Sequence, residues 1–476
     1  MSTTPEAPLT RPISRRRALS LAAGTAAAVT LPLPAWAADD QRPGAQRRPA
    51  LTGGDRAIVA RVSAERALEH IRVLSEDIGP RIGGTASERA AANYIAGVLD
   101  GHGFSTRLQE FPVADKFLGQ LAGVGTSLPA DLCWQVGAAA NGRLDVTVTG
   151  RVIDAGPGLA ASYPGDAAGA IALVDYATSN PARQAQVAAA VAAGVVALVW
   201  LPADLVEPRR AQAFSPPLAA VPGGTAIPVV GVAQAQKHRL RELLAAGPLT
   251  LQVATTAHRN LISQNVLADR PGQLGGPGSP VVMVSAHYDS VIGAPGANDD
   301  GSGTGLCLEL ARVLRALPTE ATVAFGLWGS EEQGLIGSRY HVAQLPQAER
   351  DRLTGVFQND MVATSWDPAT RYWLLSFTGQ NNVITQAVID SAHRLGYAPR
   401  ISPVTQRGAS DHQSFQEVGI ASANFSWRGE QSPALLEPPY HSPEDTIAKN
   451  ISLERLQVSL ELIGTATYAT AGGPPR

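Results

Sequence analysis

A chain of 476 residues with 45% hydrophobic and 17% charged residues has room for two or three domains with buried cores and cannot be disordered throughout. Its formal net charge of −3 gives no hint of a basic face for nucleic acid. Two cysteines, Cys133 and Cys307, exclude a disulfide framework, and neither sits in a CxxC or Cys/His cluster.

The first 37 residues read as an export signal. Arg11 and the run Ser14-Arg15-Arg16-Arg17 form a basic start, and residues 18–33 are rich in Ala, Leu and Val. Ala35-Trp36-Ala37 supplies a small-x-small cleavage pattern. The apolar stretch is short for a membrane span and contains Pro32. Ser14-Arg15-Arg16 ahead of it favours the twin-arginine route over ordinary Sec export. The mature chain is expected to begin near Ala38 and to work outside the cytoplasm, extracellular or periplasmic. No stable membrane span is expected in it: residues 187–201 are apolar but number only 15 and are broken by Gly194.

Residues 38–55 read as a flexible leader rich in Arg, Pro, Gly and Gln. Residues 56–117 predict a helix over 63–76, a Gly/Pro loop at 78–84, a helix over 89–99 and a strand over 105–113. Thr85-Ala86-Ser87-Glu88 is the expected capping box of the second helix and Gly101 its end. From 118 to 255 the chain is Ala/Gly/Val-rich, with strands expected at 171–176, 195–201, 227–232 and 249–253 and a helix at 183–193. This stretch reads as a separate small α/β module with no catalytic constellation. In 256–476, strands at 281–286, 321–328, 356–359, 372–377 and 421–427 alternate with helices at 306–317, 382–395 and 453–471. Such alternation predicts an α/β fold with a mixed, mostly parallel central sheet and helices on both faces.

In open α/β sheets, ligands bind at the carboxyl ends of the strands. Here five strand ends carry ionisable residues: His287-Tyr288-Asp289, Asn298-Asp299-Asp300-Gly301-Ser302-Gly303, Ser330-Glu331-Glu332-Gln333-Gly334, Asp360-Met361 and Tyr440-His441. Singly, each has a bland explanation: a surface histidine, a turn with a helix cap, a solvated helix start. Together, imidazoles and carboxylates at several strand ends, without a cysteine cluster, suit zinc in a catalytic site.

These blocks resemble, in order and spacing, the five motif blocks of the M28 family of di-zinc exopeptidases; Asp299 lies twelve residues after His287, as in its secreted bacterial aminopeptidases. The resemblance covers about 55–115 and 258–470, and residues 118–255 resemble the protease-associated (PA) domain inserted in some members. It implies two Zn²⁺ per chain, bridged by Asp299, with His287 and Asp360 completing one site and Glu332 and His441 the other. It also implies Glu331 as general base, Tyr440 as hydrogen-bond donor to the developing oxyanion, and Asp289 as the carboxylate behind His287. Met361 and Phe425 match positions that line the side-chain pocket of related aminopeptidases, which suggests large apolar N-terminal residues. Arg407 precedes Ser410-Asp411-His412, a block the family shares, and is a further candidate substrate contact; His412 is expected to be structural.

The expected activity is therefore that of a zinc-dependent aminopeptidase acting on peptide substrates. A carboxypeptidase or dipeptidase of the same family would share the metal set and anchor the other terminus. A glutaminyl cyclase also carries a His-Tyr-Asp-Ser-like block, but Asn298 to Gly303 fits the peptidases better. A non-catalytic binding protein on this fold would lack a ligand or the base, and here all six positions are filled. Nothing in the sequence sets the oligomeric state.

Overall fold

Among the described residues, fifteen segments form β-strands, and they divide between one open sheet and one closed barrel. The computed structural model describes residues 50–125, 132–204, 224–276 and 278–473. The expected export signal, and the leader up to residue 49, lie outside the described residues. The leader ends sooner than expected. Thr52 caps a helix at Gly53–Val59 through a reciprocal pair with Asp55, and the Asp55 carboxylate is buried against Arg394 at 2.8 and 3.0 Å.

In chain order the strands are β1 (Ser105–Val113), β2 (Lys116–Gly123), β3 (Cys133–Ala138), β4 (Val146–Asp154), β5 (Ile171–Asp175), β6 (Ala197–Leu201), β7 (Val229–Gly231) and β8 (Thr250–His258). They continue with β9 (Leu261–Arg270), β10 (Val281–His287), β11 (Thr322–Trp328), β12 (Leu353–Asn359), β13 (Arg371–Ser376), β14 (Ile401–Gln406) and β15 (Ser422–Arg428). Among the described residues, eight of them form one sheet in the order β1-β9-β11-β10-β12-β15-β13-β14. The four at its centre, β11, β10, β12 and β15, run parallel. β9 joins β11, β1 joins β9 and β13 joins β15 antiparallel, so the sheet is mixed.

Every residue of β10, β11 and β15 is buried, which is why β10 and β11 read as nearly unbroken apolar runs, while β15 buries Ser422, Asn424, Ser426 and Arg428 as well. Their side chains alternate between two cores. Val282, Val284, Val323, Phe325 and Phe357 join the core built with helices Ala64–Arg72, Gly301–Leu314 and Leu453–Thr470. Val281, Met283, Ala324, Trp328 and Val356 face Val342 and Phe415, from helices Ile336–Gln344 and His412–Gln416. Cys307 is fully buried in the first core.

Strands β2 to β8 close a separate barrel in the order β2-β3-β7-β6-β5-β4-β8. β2 and β8 pair over Lys116↔His258 to Gly123↔Leu251. The expected boundaries at 117/118 and 255/256 thus fall inside these two strands. The barrel enters and leaves the sheet at neighbouring points, because Val113 and Leu261 are register partners at the end of β1 and β9.

Two local expectations are corrected. The Thr85 hydroxyl does not cap its helix, Ala86–Gly101; it donates to the Ile82 carbonyl at 2.6 Å. Glu88 reaches past it, accepting from Gly84 N at 2.6 Å, Ser263 Oγ at 2.8 Å and Ser330 N at 3.0 Å. The helix runs through Gly101 and the chain turns at Gly103, whose φ of 81° suits glycine. Strands β2, β3, β4, β9 and β14 and helix Gln234–Ala246 escaped the sequence reading. β9 was hidden because its centre, Ser263-Gln264-Asn265, is polar yet fully buried, each side chain bonding a neighbouring segment. No helix among the described residues is long and apolar enough to cross a membrane.

Candidate metal centre

The carboxyl ends of β10, β11 and β12 set down their ionisable residues side by side. His287 closes β10. Its backbone N–H donates to Asp300 Oδ2 at 3.2 Å and its carbonyl accepts from Thr304 Oγ1 at 2.8 Å. Asp300 is the N-cap of helix Gly301–Leu314, accepting from Gly303 N at 2.8 Å. Its other contact, from Met361 N at 3.3 Å, ties the ends of β10 and β12 to that helix. Gly303 is required there, since a Cβ would lie 2.0 Å from the Asn359 carbonyl oxygen. Asp445 accepts from the backbone N–H groups of Asn298 and Asp299, each at 3.0 Å, and so fixes Asp299.

Glu331 and Glu332 open a single helical turn after β11, behind Ser330. Asp289 receives both of their backbone N–H groups, at 2.9 and 3.2 Å, and its carboxylate stands 3.5 Å from His287 Nδ1. Three non-glycine residues in left-handed backbone, Ser330, Met361 and His441, border these positions. Such strain persists only where surrounding contacts over-determine it.

The result is two triads that share one aspartate. His287, Asp299 and Asp360 place one ligand atom each within 4.8 Å of one another, and so do Asp299, Glu332 and His441. His287 Nε2 lies 3.2 Å from Asp299 Oδ1 and 3.8 Å from Asp360 Oδ1. His441 Nε2 lies 3.1 Å from Asp299 Oδ2 and 3.0 Å from Glu332 Oε2. Glu331 forms a further group with His287 and Glu332. The ligand atoms fit a metal: the carboxylate oxygens Glu332 Oε1 and Asp360 Oδ1 are buried with no hydrogen-bond partner among the described residues. Unpaired buried polar atoms are costly unless something else satisfies them.

The electrostatics agree. Burial opposes a charge on His441, but Glu332 and Asp299 outweigh it and raise its pKa to about 10. Burial likewise opposes charge on His287, and Glu331, Asp289, Asp299 and Asp360 raise it. Burial raises Glu331 well above the carboxylate range, with Asp411, Glu332 and Asp360 adding to it against the pull of His287. Burial, then the charges of Asp299, Glu332 and Asp360, push the Tyr440 hydroxyl up. Its ring stacks on His441 at 3.7 Å between centroids.

A cavity of about 280 Å³ opens onto this centre, and His287, Asp299, Glu331, Glu332, Asp360, Met361, Arg407, Tyr440 and His441 all line it. Phe425 does not. It points into the sheet's helical core, fully buried between Phe357 and Tyr372 at centroid distances of 6.0 and 6.3 Å. Side chains alternate along a strand, and position 425 falls on the core face; its carbonyl accepts from Asp360 N at 3.4 Å. His412 is structural, with Nε2 2.8 Å from the Arg407 carbonyl. The sequence reading missed Leu335, which also lines the cavity; Arg428 lines it from the end of β15. The sequence reading also missed Arg81, whose fully buried guanidinium donates to the carbonyls of Leu74, Gly79, Tyr288, Pro295 and Gly296.

Residues 265–467, which hold both triads, match Peptidase family M28. The chain is 36% identical over 406 residues to Aminopeptidase YwaD of Bacillus subtilis (strain 168), covering 85% of this chain and 84% of that protein. This chain belongs to peptidase family M28. Among solved structures, the M28 chain is similar to a zinc aminopeptidase from Bacillus subtilis, with a TM-score of 0.60, 32% identity, and 86% and 96% of the two chains covered. It is also similar to an aminopeptidase from Aneurinibacillus sp. strain AM-1, with a TM-score of 0.55, 29% identity, and 88% and 97% covered. Membership implies peptide substrates and hydrolysis. The mixed α/β sheet described above is shared with these structures.

Proposed function

We propose that this chain is an exported zinc aminopeptidase that holds two zinc ions and releases one residue at a time from the free N-terminus of peptides. The observation that carries the reading is the pair of triads sharing Asp299. Membership of family M28, and relatives named as aminopeptidases and a zinc aminopeptidase, support the class. The two orphaned carboxylate oxygens, Glu332 Oε1 and Asp360 Oδ1, support a metal between these side chains. His287, Asp299 and Asp360 would hold one ion and Asp299, Glu332 and His441 the other. Zinc bound there supplies a Lewis acid for the scissile carbonyl and acidifies a water at neutral pH.

The remaining steps belong to the chain's own groups. Asp289 holds the backbone of Glu331 and Glu332 and stands behind His287, so it sets the direction of three functional side chains at once. Glu331 takes the proton of the attacking water and gives it to the leaving amine, as general base and then general acid. The Tyr440 hydroxyl keeps its proton and donates a hydrogen bond to the developing oxyanion. A free substrate amine finds partners among the site's carboxylates, by hydrogen bonding when charged or by coordination when neutral. Binding it there leaves one residue before the scissile carbonyl.

Leu335 and Met361 offer apolar surface in the cavity and support a preference for large apolar first residues. The barrel over Lys116–His258 is read as the PA-like domain, and the basic and apolar start of the chain as an export signal. The test is leucine p-nitroanilide beside its N-acetylated form, with metal analysis of the same sample. Cleavage of the first and refusal of the second is expected, with a peptide ladder that shortens from the N-terminus by mass spectrometry. A ladder shortening from the C-terminus would replace this reading with the carboxypeptidase one.

A further inference from the structure

We propose that Arg428 determines specificity by binding a carboxylate carried by the substrate. Arg428 is the last residue of β15 and lines the cavity of the metal centre, yet it is only 4% exposed. A guanidinium keeps its charge at any working pH and has five N–H donors. Burying it is costly unless an anion or a full set of acceptors faces it.

Arg428 has neither. Nε donates to Ser426 Oγ at 3.1 Å and Nη1 to the Pro433 carbonyl at 3.2 Å. Nη2 meets only the Met361 sulfur, at 4.0 Å, and a thioether is a weak acceptor. Two other arginines, Arg81 fully buried and Arg394 partly so, show the contrast. All three nitrogens of Arg81 donate to backbone carbonyls. Arg394 forms a two-point pair with the Asp55 carboxylate. No carboxylate among the described residues makes an ion pair with Arg428. Among the described residues its Nη2 has no oxygen acceptor, and Met361, the residue it does touch, follows Asp360 directly in the chain. Arg407 lines the same cavity and adds a second positive charge. Planar guanidinium pairs with carboxylate through two parallel hydrogen bonds, a geometry a lysine cannot copy.

A substrate carboxylate near the scissile bond has two sources: the C-terminus of a dipeptide, or an acidic side chain on the first residue. The proposal rests on the aminopeptidase reading only for where the substrate lies. The experiment compares kcat/KM for Leu-Gly with Leu-Gly-amide, and for Glu-p-nitroanilide with Gln-p-nitroanilide. In the wild-type enzyme at least one ratio should favour the carboxylate by about 10- to 100-fold, the weight of a charged hydrogen-bonded contact. The pair that shows it names the source. Arg428→Met should bring that ratio toward one, and Arg428→Lys should restore part of it. A merely structural arginine would lower both members of a pair together and leave the ratio standing, which would overturn the proposal. Wild-type ratios near one in both pairs would overturn it without any variant. Cleavage of N-acetyl-Leu-Gly would instead overturn the N-terminal polarity, while the carboxylate ratios would still decide on Arg428.

Discussion

The sheet and the barrel of this chain are built from similar apolar strands and treat charge in opposite ways. At the carboxyl edge of the sheet, Asp289, Asp299, Asp300, Asp360, Asp411, Glu331, Glu437 and Asp445 are all buried. Burial with neighbouring charge lifts the carboxyls of Asp411 and Glu437 to about 7. In the barrel the buried ionisable side chains among the described residues are Arg183 and Lys237. Both reach backbone carbonyls, and Lys237 also reaches Asp204, at 2.9 Å. The barrel closes on itself, so its strands have no free edge, and its cores are apolar. The open sheet gathers acids that repel one another at a distance no apolar packing explains. A protein interior tolerates that arrangement when cations or bound protons answer it.

The largest effect expected from breaking this contrast is at Glu331. Glu331→Gln keeps the side chain's shape but cannot accept a proton. Turnover should fall by about 10² to 10⁴ while zinc content stays unchanged. Near-wild-type turnover would remove Glu331 from the role of base.

Metal content sharpens the comparison next. Asp299→Ala removes a donor from both triads and should empty both. His441→Ala removes one from a single triad and should leave about one zinc per chain. Equal loss in the two variants by elemental analysis would contradict a shared Asp299.

A smaller effect concerns charge on the far face of the sheet. Burial, with Arg107 adding, lowers His341 to about 4, while an unfolded chain titrates near 6.5. The unfolded state therefore binds a proton that the fold refuses. The stability this gives is fully present above about pH 6.5 and is lost as pH falls toward 4, on the order of 3 kcal/mol across the window. His341→Gln should flatten the decline in urea stability between pH 7 and 4.5 relative to wild type. Exposed His238→Gln on the barrel is the control, and equal slopes for all three proteins would sink the idea.

The smallest expected effect is on metal binding when the barrel is removed. Val113 and Leu261 are already register partners, so a short turn can join β1 to β9 in its place. Zinc content should not change. Among the described residues, a side-chain contact at stake near the centre is Gln135 Oε1, which accepts from Gly293 N at 3.1 Å in the loop before Asp299. A folded, metal-free product would show that the barrel shapes the centre after all.

Most residues of the centre were legible because their blocks sit at a strand end or a helix start, several with glycine or a paired acid beside them, and local pattern is what a sequence displays. His287, Asp299, Glu331, Glu332, Asp360 and His441 span 155 positions, from 287 to 441, yet line one cavity. The continuous apolar runs of β10 and β11 were equally plain, since strands buried on both faces have no polar period to confuse them. β9 was not, because its buried polar residues bond to groups far away in sequence.

By itself, the sequence determined the central apolar strands, the alternation with helices that makes an α/β sheet, and the set of candidate ligands, all of which depend on neighbours along the chain. Only the tertiary structure decided that Phe425 is core and Arg428 lines the cavity, three residues apart on one strand. Which face a strand residue takes is set by register against β12 and β13, and whether a buried charge finds an acceptor is set by segments distant in the chain. Neither quantity exists until the chain has folded.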